Sequence, residues 1–344
     1  MKLFFHKLTH WEYWPFGVVY FPVFFQWAYY AIKAKSIFFF NASNPSLKNG
    51  GFMAESKKEI YDILPDEYYP NTILIKAHQS FDDVLAEVER SAIKFPLIAK
   101  PDIGLRGSAV KKVYGHYDLQ TYHQKANFDY LIQALIPYKK EVGIFYVRYP
   151  GEFTGKITGI VSKEFVKVVG DGVSTVRELV SQDLRYEMQL QSILREQGTK
   201  MHDVLSKGEQ LELIPYGNHA RGAKFLDGSH LISDTLSATL NTICSRIPDF
   251  YFGRLDIMYN DFAKLERGEE FMIVEVNGAS SEPTHIYDPK HSIFFAWKEL
   301  IRHTCYMFEI SMANREAGAP FLSFEDGMRQ FRIHQEQSRK IISF

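Results

Sequence analysis

Between Tyr13 and Ile32 the chain runs for 20 residues without a formal charge, YWPFGVVYFPVFFQWAYYAI. A stretch of that length is what a helix needs to cross a bilayer, so it decides which class of fold is open to the chain. Its content argues against a simple span. Pro15, Gly17 and Pro22 interrupt a helix, and Gln26 sits inside the run. Two Trp and four Tyr favour the membrane–water interface over the hydrocarbon centre. No secretory signal is expected, because the apolar region is broken and no small-residue cleavage site follows it. Two readings remain. Either these aromatics pack under the rest of the protein, or residues 13–40 make a peripheral contact with a membrane surface.

The rest of the chain reads as globular. Its 344 residues are 46% apolar and 24% charged, which suits two domains or one large domain with lobes. That balance excludes a disordered chain, a collagen-like fibre and a many-helix transporter. Lys+Arg is 40 against Asp+Glu 41, so the basic excess of a nucleic-acid binder is missing and no nucleic-acid partner is expected. Cys244 and Cys305 cannot make a disulfide framework and form no CxxC pattern. They are expected to be buried thiols in a cytoplasmic protein, which would sit at the inner membrane surface if the aromatic segment makes contact.

Strand and helix signals alternate without strict βαβ order, so the class is α+β. Strands are expected at 72–76, 95–100, 109–114, 129–136, 141–148, two within 156–169, 252–259 and 270–276, with short ones in 211–230. Helices are expected at 55–64, 80–93, 118–128, 175–181, 183–206, 233–246, 292–313 and 324–341. Ser80 with Asp83 makes an imperfect capping box. Asn41–Gly51 reads as a loop.

Two segments carry chemistry. Residues 253–258 read GRLDIM and residues 273–278 read IVEVNG. Alternate residues of a strand share a face, so Arg254 goes with Asp256, and Glu275 with Asn277. Side by side, the two strands would gather Asp256, Glu275 and Asn277 as three oxygen donors of the kind Mg²⁺ takes. Arg254 beside them suits a phosphate or a developing oxyanion. Polar positions lining a wet sheet face are the plain alternative for either strand alone. The second segment is FPLIAKPDIGLRGSAV, residues 95–110. There an apolar strand delivers Lys100, and Gly104, Arg106, Gly107 and Ser108 form a loop whose amides could approach phosphate oxygens. It is not a Walker A motif, and a plain hairpin turn would look similar.

In this order the motifs resemble the ATP-grasp enzymes, and within them the D-alanine–D-alanine ligase-like and cyanophycin-synthetase-like branches. The resemblance covers residues 55–290. It implies an ATP-grasp fold of two α+β subdomains gripping ATP. The segment 1–54 would precede it, 55–150 and 151–290 would be its two parts, and 291–344 would be C-terminal helices. Lys100 and the glycine loop resemble the phosphate-covering segment. Lys57, or its neighbour Lys58, resembles an earlier nucleotide-binding lysine. Gln133, Ala134 and Ile136 lie in a stretch similar to the hinge that meets adenine through its backbone, and Gln133 stands where the family often has an acid. Glu141 resembles the ribose-binding carboxylate. Gly170-Asp171-Gly172 with STVREL is similar to a turn of cyanophycin-synthetase-like members. Asp256, Glu275 and Asn277 would be the metal ligands, with Glu275 bridging two Mg²⁺ ions and Mn²⁺ as an alternative.

The implied reaction joins a carboxylate to an amine, or a similar nucleophile, through an acylphosphate, with ADP and phosphate released. Its substrates would be small-molecule or lipid-linked acids and amines. Catalytic roles would fall to Lys100, to Arg254 at the tetrahedral oxyanion, and to Arg221 at a γ-phosphate or substrate carboxylate. His219 and His285 are weaker candidates for substrate contact, against ordinary structural roles. Two departures matter: the segment before the first motif is short and aromatic, and Asn277 is followed by GASSEPTH, so D-alanine is not assumed as substrate. Competing readings are a membrane-associated ATP-binding protein without ligase turnover, and a phosphoryl-transfer enzyme on the same fold.

Overall fold

The computed structural model describes residues 2–104, 107–214 and 222–344. Two antiparallel sheets organise the chain, with helices packed around them, so the class is α+β. The first sheet has the order β1-β4-β2-β3, formed by β1 (Thr72–Ile75), β2 (Leu97–Pro101), β3 (Lys111–Val113) and β4 (Tyr130–Ala134). The second has the order β11-β10-β5-β6-β9, formed by β5 (Lys140–Val147), β6 (Lys156–Glu164), β9 (Lys224–Asp227), β10 (Phe252–Tyr259) and β11 (Phe271–Asn277). A ribbon of β7 (Lys167–Val169) and β8 (Gln210–Glu212) carries a small module with its own core around Val176, Val180, Ile193 and Leu213. The sheets change between Ala134 and Lys140, because β5 pairs with β6 and β10. This lies ahead of the break expected at 150.

Alternation sets what each face of the first sheet meets. Leu97 and Ala99 of β2, with Tyr130 and Ile132 of β4, pack under the helices Phe81–Arg90 and His116–Lys125. Lys100 and Gln133 take the opposite parity. Ser80 caps the first of these helices, accepting from Asp83 N at 3.2 Å, as the sequence signal predicted.

In the second sheet Val142, Ile144, Leu255 and Ile257 join the core beneath the helix Asp234–Ser245. Phe145, Val147 and Phe252 point the other way, against Phe38, Phe39, Phe40 and the helix Ile293–Glu316. Arg254 and Asp256 share that second face, beyond the end of its apolar packing.

The N-terminal segment makes three helices, Lys2–Thr9, Phe16–Val19 and Phe21–Ala34. Pro22 does not interrupt the third. It stands in its first turn, where the missing N–H has no helical partner to lose. The expected loop at Asn41–Gly51 is two buried 3₁₀ turns, Phe39–Ser43 and Lys48–Gly51. Asn44 explains why they stay ordered. Its Oδ1 accepts from the backbone N–H groups of Tyr251 and Phe252, each at 2.9 Å, while Nδ2 donates to the Phe252 carbonyl at 2.8 Å. The amides of Ala279 and Ser280 donate to the carbonyls of Gly50 and Gly51 at 2.9 and 3.0 Å. Early residues thus hold one end of the β10–β11 pair, where β10 begins and β11 ends. Among the described residues no helix is long and apolar enough to cross a membrane.

This junction tolerates no side chain. A Cβ at Gly278 would stand 2.4 Å from the Gly50 carbonyl oxygen and 2.8 Å from the Gly51 Cα, both backbone atoms. Gly278→Ala is expected to cost about 2–3 kcal/mol, read as a lower urea midpoint with an unchanged slope.

Candidate functional site

The site begins with a register. β10 and β11 run antiparallel with Arg254 opposite Asn277 and Asp256 opposite Glu275. The pairing then slips by one, so Ile257 faces Ile273 and Val274 is a bulge. The slip decides the chemistry. Phe271 and Ile273 lie in the core, and unbroken alternation would carry Glu275 and Asn277 into it as well. The bulge puts Val276 in the core instead and turns both polar residues toward the Arg254–Asp256 face. The freed carbonyl of Val274 accepts a hydrogen bond from the Tyr61 hydroxyl.

Charges on this face are paired. Arg254 grips Asp256 with two hydrogen bonds, Nε to Oδ1 at 2.7 Å and Nη2 to Oδ2 at 3.1 Å, and its Nη1 donates to the Glu282 carbonyl at 3.1 Å. Lys163 of β6 reaches Asp256 Oδ2 at 3.2 Å and is ion-paired with Glu141. Burial would raise the Asp256 pKa, but Arg254 and then Lys163 outweigh it and hold the carboxyl well below the usual range. Burial pushes the Glu141 pKa up, against the pull of Lys163. Gly143 pairs with Asp256 across β5–β10, and a Cβ there would come within 3.0 Å of Arg254 Cδ and Asp256 Oδ1.

Lys57 opens the helix Lys57–Tyr61, capped by Ser56, and its ammonium is ion-paired with Glu275. Burial alone would lower the Lys57 pKa; the carboxylate beside it reverses this and raises it. Glu275 responds in kind: burial would raise its pKa, but Lys57 holds it lowered. Lys58 turns away to Asp62, so of the two lysines it is Lys57 that faces the strand pair. Gly104 lies directly on this contact, since a Cβ there would stand 2.6 Å from Lys57 Nζ and 3.5 Å from Glu275 Oε1. Gly104 and the acidic strands therefore meet.

Lys100 is buried, donating to Tyr61 Oη at 2.9 Å and to Gln133 Oε1 at 3.0 Å, while Gln133 Nε2 donates to Thr72 at 2.8 Å. With Tyr61 on the Val274 carbonyl, this chain links the first sheet to the bulge of the second. The Gln133 side chain is thus a support for Lys100. Ala134, at the end of β4, has its amide engaged with the Asn71 carbonyl at 2.9 Å. Ile136 lies in the link from β4 to β5, and Gly107 and Ser108 lie in the turn before β3. Arg106, His219 and Arg221 lie outside the described residues.

Other expectations shift. His285 is buried, 3.5 Å from Glu299 and packed on Gly159, in a network with Arg302 and His303. It packs against the helix Ile293–Glu316 through Glu299. Cys244 is buried as expected, whereas Cys305 is only partly so. Asp171 shapes its turn by accepting from the amides of Val173 and Ser174 at 2.8 and 2.7 Å, ahead of a complete Thr175–Glu178 capping box.

Sequence reasoning missed Lys163 and Glu55. Lys163 read only as one of several polar residues in its strand; its register opposite Glu141 comes from the hairpin. Glu55 was signalled by its spacing, two residues before Lys57. Among the described residues, its Oε2 is buried without a hydrogen-bond partner. Burial raises its pKa to about 7, despite the nearby charge of Lys57. The folded state therefore binds a proton at Glu55 between the unfolded value near 4.5 and about 7, and stability falls as pH rises through that window. Glu55→Gln is expected to gain on the wild type by up to about 3 kcal/mol across this interval, read from urea midpoints at pH 5 and pH 8.

The donors suit a hard divalent cation. Asp256, Glu275 and Asn277 share a face and offer oxygen, with no sulfur or imidazole among them. The Asn277 Nδ2, among the described residues, is buried with no hydrogen-bond partner, while a cation would take the amide's oxygen. No group of three His, Cys, Asp or Glu stands together among the described residues. An ion here would draw its remaining ligands from phosphate and water.

A scan of protein-family models gives no match, and a search of curated proteins gives none. Among solved structures the chain is similar to a D-alanine–D-alanine ligase from Bacillus anthracis, at 17% identity and a TM-score of 0.43, covering 76% of this chain and 69% of that one. It is similar to the VanG D-Ala:D-Ser ligase from Enterococcus faecalis, at 13% identity and 0.43, covering 74% and 61%. A third likeness is to a bifunctional glutathione synthetase from Pasteurella multocida, at 15% identity and 0.39, covering 72% of this chain and only 36% of that chain. These likenesses are distant, and the function proposed next rests on the chain's own residues.

Proposed function

We propose that this chain is an ATP-dependent ligase of the ATP-grasp kind, joining a carboxylate to an amine or a similar nucleophile. The observation that carries the reading is the bulged register that sets Arg254, Asp256, Glu275 and Asn277 on one face, with Lys57 and Gly104 against it. A wet sheet face would not bury an arginine–carboxylate pair behind two further lysines.

On this reading the substrate carboxylate attacks the γ-phosphorus of ATP, the bond to the β-phosphate oxygen breaks, and ADP leaves. The amine then attacks the acyl carbon, phosphate departs, and the amine proton passes to solvent or phosphate. Lys57 and Lys100 neutralise phosphate charge, and the loop 104–108 keeps water from the acylphosphate. Arg254, aimed by Asp256, stabilises the tetrahedral oxyanion. Asp256, Glu275 and Asn277 would hold Mg²⁺, which supplies charge neutralisation and in-line alignment of the phosphates. Positioning and electrostatics account for the catalysis, so no Ser or Cys nucleophile is required.

The test is ADP and phosphate release from Mg²⁺-ATP with pooled amino acids, short peptides and amphiphilic amines, beside a Glu275→Ala control. Release that needs both an acid and an acceptor, and is lost in the control, is expected. A phosphorylated product without an amide would point to phosphoryl transfer instead.

A further inference from the structure

The helix Phe21–Ala34 is apolar on both sides. One side, through Trp27, Tyr30 and Ala34, packs against the helix Ile293–Glu316, where Tyr30 stacks on Phe308 at 4.0 Å. The other side is Phe21, Phe24, Phe25, Tyr29 and Ile32, which fall at the i, i+3, i+4, i+8 and i+11 positions of a single helical stripe. All five are exposed, Phe25 to 64% and Ile32 to 78%. Phe16 continues the stripe through an edge contact with Phe24 at 6.1 Å and is itself exposed. Phe294, 72% exposed, joins from the neighbouring helix, because Trp297 at its ring edge donates to the Val19 carbonyl at 2.9 Å. Scattered surface apolars need no explanation, but a continuous aromatic stripe does.

The charge within the segment itself is mostly of one sign. Residues 1–40 hold four lysines, Lys2, Lys7, Lys33 and Lys35, and a single acid, Glu12. Glu12 is buried and spent in an ion pair with Arg185 at 2.6 Å. The exposed formal charge of this region is therefore positive. A helix of 14 residues is too short to cross a bilayer but can lie along its surface.

We propose that this face is a docking surface for an anionic lipid bilayer, with the aromatic stripe set among the headgroups and the lysines against their phosphates. A bilayer is favoured over a protein partner because aromatic rings and lysines, with no exposed acid within residues 1–40, suit an apolar, anionic plane. The surface also adjoins the site. The Tyr20 hydroxyl is bonded to Glu282, whose carbonyl accepts from Arg254. Resting on the ligase reading, this adjacency makes an amphiphilic or lipid-linked substrate the fitting class.

Vesicle sedimentation of the full chain tests the docking without any turnover, so its failure is separate from failure of the ligase reading. Vesicles of phosphatidylcholine alone are compared with vesicles holding about 30% phosphatidylglycerol, each in low and high salt. Binding to the anionic vesicles is expected, weakened by salt. Replacing Lys7 and Lys35 by Glu should weaken it by about fivefold per lysine or more. Phe24→Ser with Phe25→Ser should weaken it roughly tenfold, while the urea midpoint stays unchanged because both rings are exposed. Four results overturn the proposal: no binding to either vesicle, equal binding to both, binding indifferent to the phenylalanine pair, or absent vesicle binding with self-association in sedimentation velocity that the pair abolishes. The last would make a second copy of the chain the occupant.

Discussion

Arg254→Ala is expected to slow amide formation by about 10²–10³-fold while changing the affinity for Mg²⁺-ATP little. The guanidinium is already aimed. Asp256 holds it through two parallel hydrogen bonds, and the Glu282 carbonyl takes a third N–H. A preorganised donor of this kind acts on charge that develops only in the transition state. Its loss should therefore appear in kcat and spare nucleotide binding. Arg254→Lys should recover little, because an ammonium cannot reproduce the two-pronged grip on the carboxylate. Product formation and ATP calorimetry on the same preparations separate the two quantities, and equal losses in both would contradict the assigned role.

Asp256→Ala should be the most destabilising of the site substitutions, by about 3–5 kcal/mol. Asp256 is 4% exposed and bears on two cations at once, Arg254 and Lys163. Removing it leaves Lys163 with Glu141 and takes from Arg254 its directly paired carboxylate, in a place where an unpaired charge is costly. The pH dependence follows from the lowered carboxyl pKa. Its contribution is complete above the unfolded value of about 3.9 and is lost only as pH falls through the lower folded value. The difference between variant and wild type should hold steady from about pH 8 to pH 5. Chemical denaturation at several pH values reads it directly, and a difference that shrinks across that range would contradict the pairing.

Most of the elements were legible because their signals are local. Ser80 with Asp83 announced a capped helix, Pro101 closed a strand, and alternation in GRLDIM set Arg254 and Asp256 on one face. Glu275 and Asn277 were read correctly as partners of that pair, but for an incomplete reason. Simple alternation from Phe271 and Ile273 sends Glu275 inward, and only the bulge at Val274 brings it out. A bulge depends on what the neighbouring strand and Tyr61 offer, and one strand's sequence does not carry that. Lys163 was missed for a related reason, since its partners Glu141 and Asp256 come from two other strands of the sheet. His285, weighed for substrate contact against a structural role, is carried by the 3₁₀ turn Thr284–Tyr287 into the packing around Glu299. The N-terminal segment divides between core and surface. Phe38, Phe39 and Phe40 are core, while the stripe from Phe21 to Ile32 is surface.

The central claim is that the face between Lys57, Lys100 and the β10–β11 pair binds a nucleotide with a divalent cation. Calorimetric titration of the full chain with ATP, with and without Mg²⁺, tests it without knowledge of the acid or the amine. Saturable binding is expected that strengthens with Mg²⁺, loses its Mg²⁺ dependence in Glu275→Ala, and weakens roughly tenfold in Lys100→Ala. Absence of binding by folded wild-type protein, or binding that neither substitution alters, would contradict it.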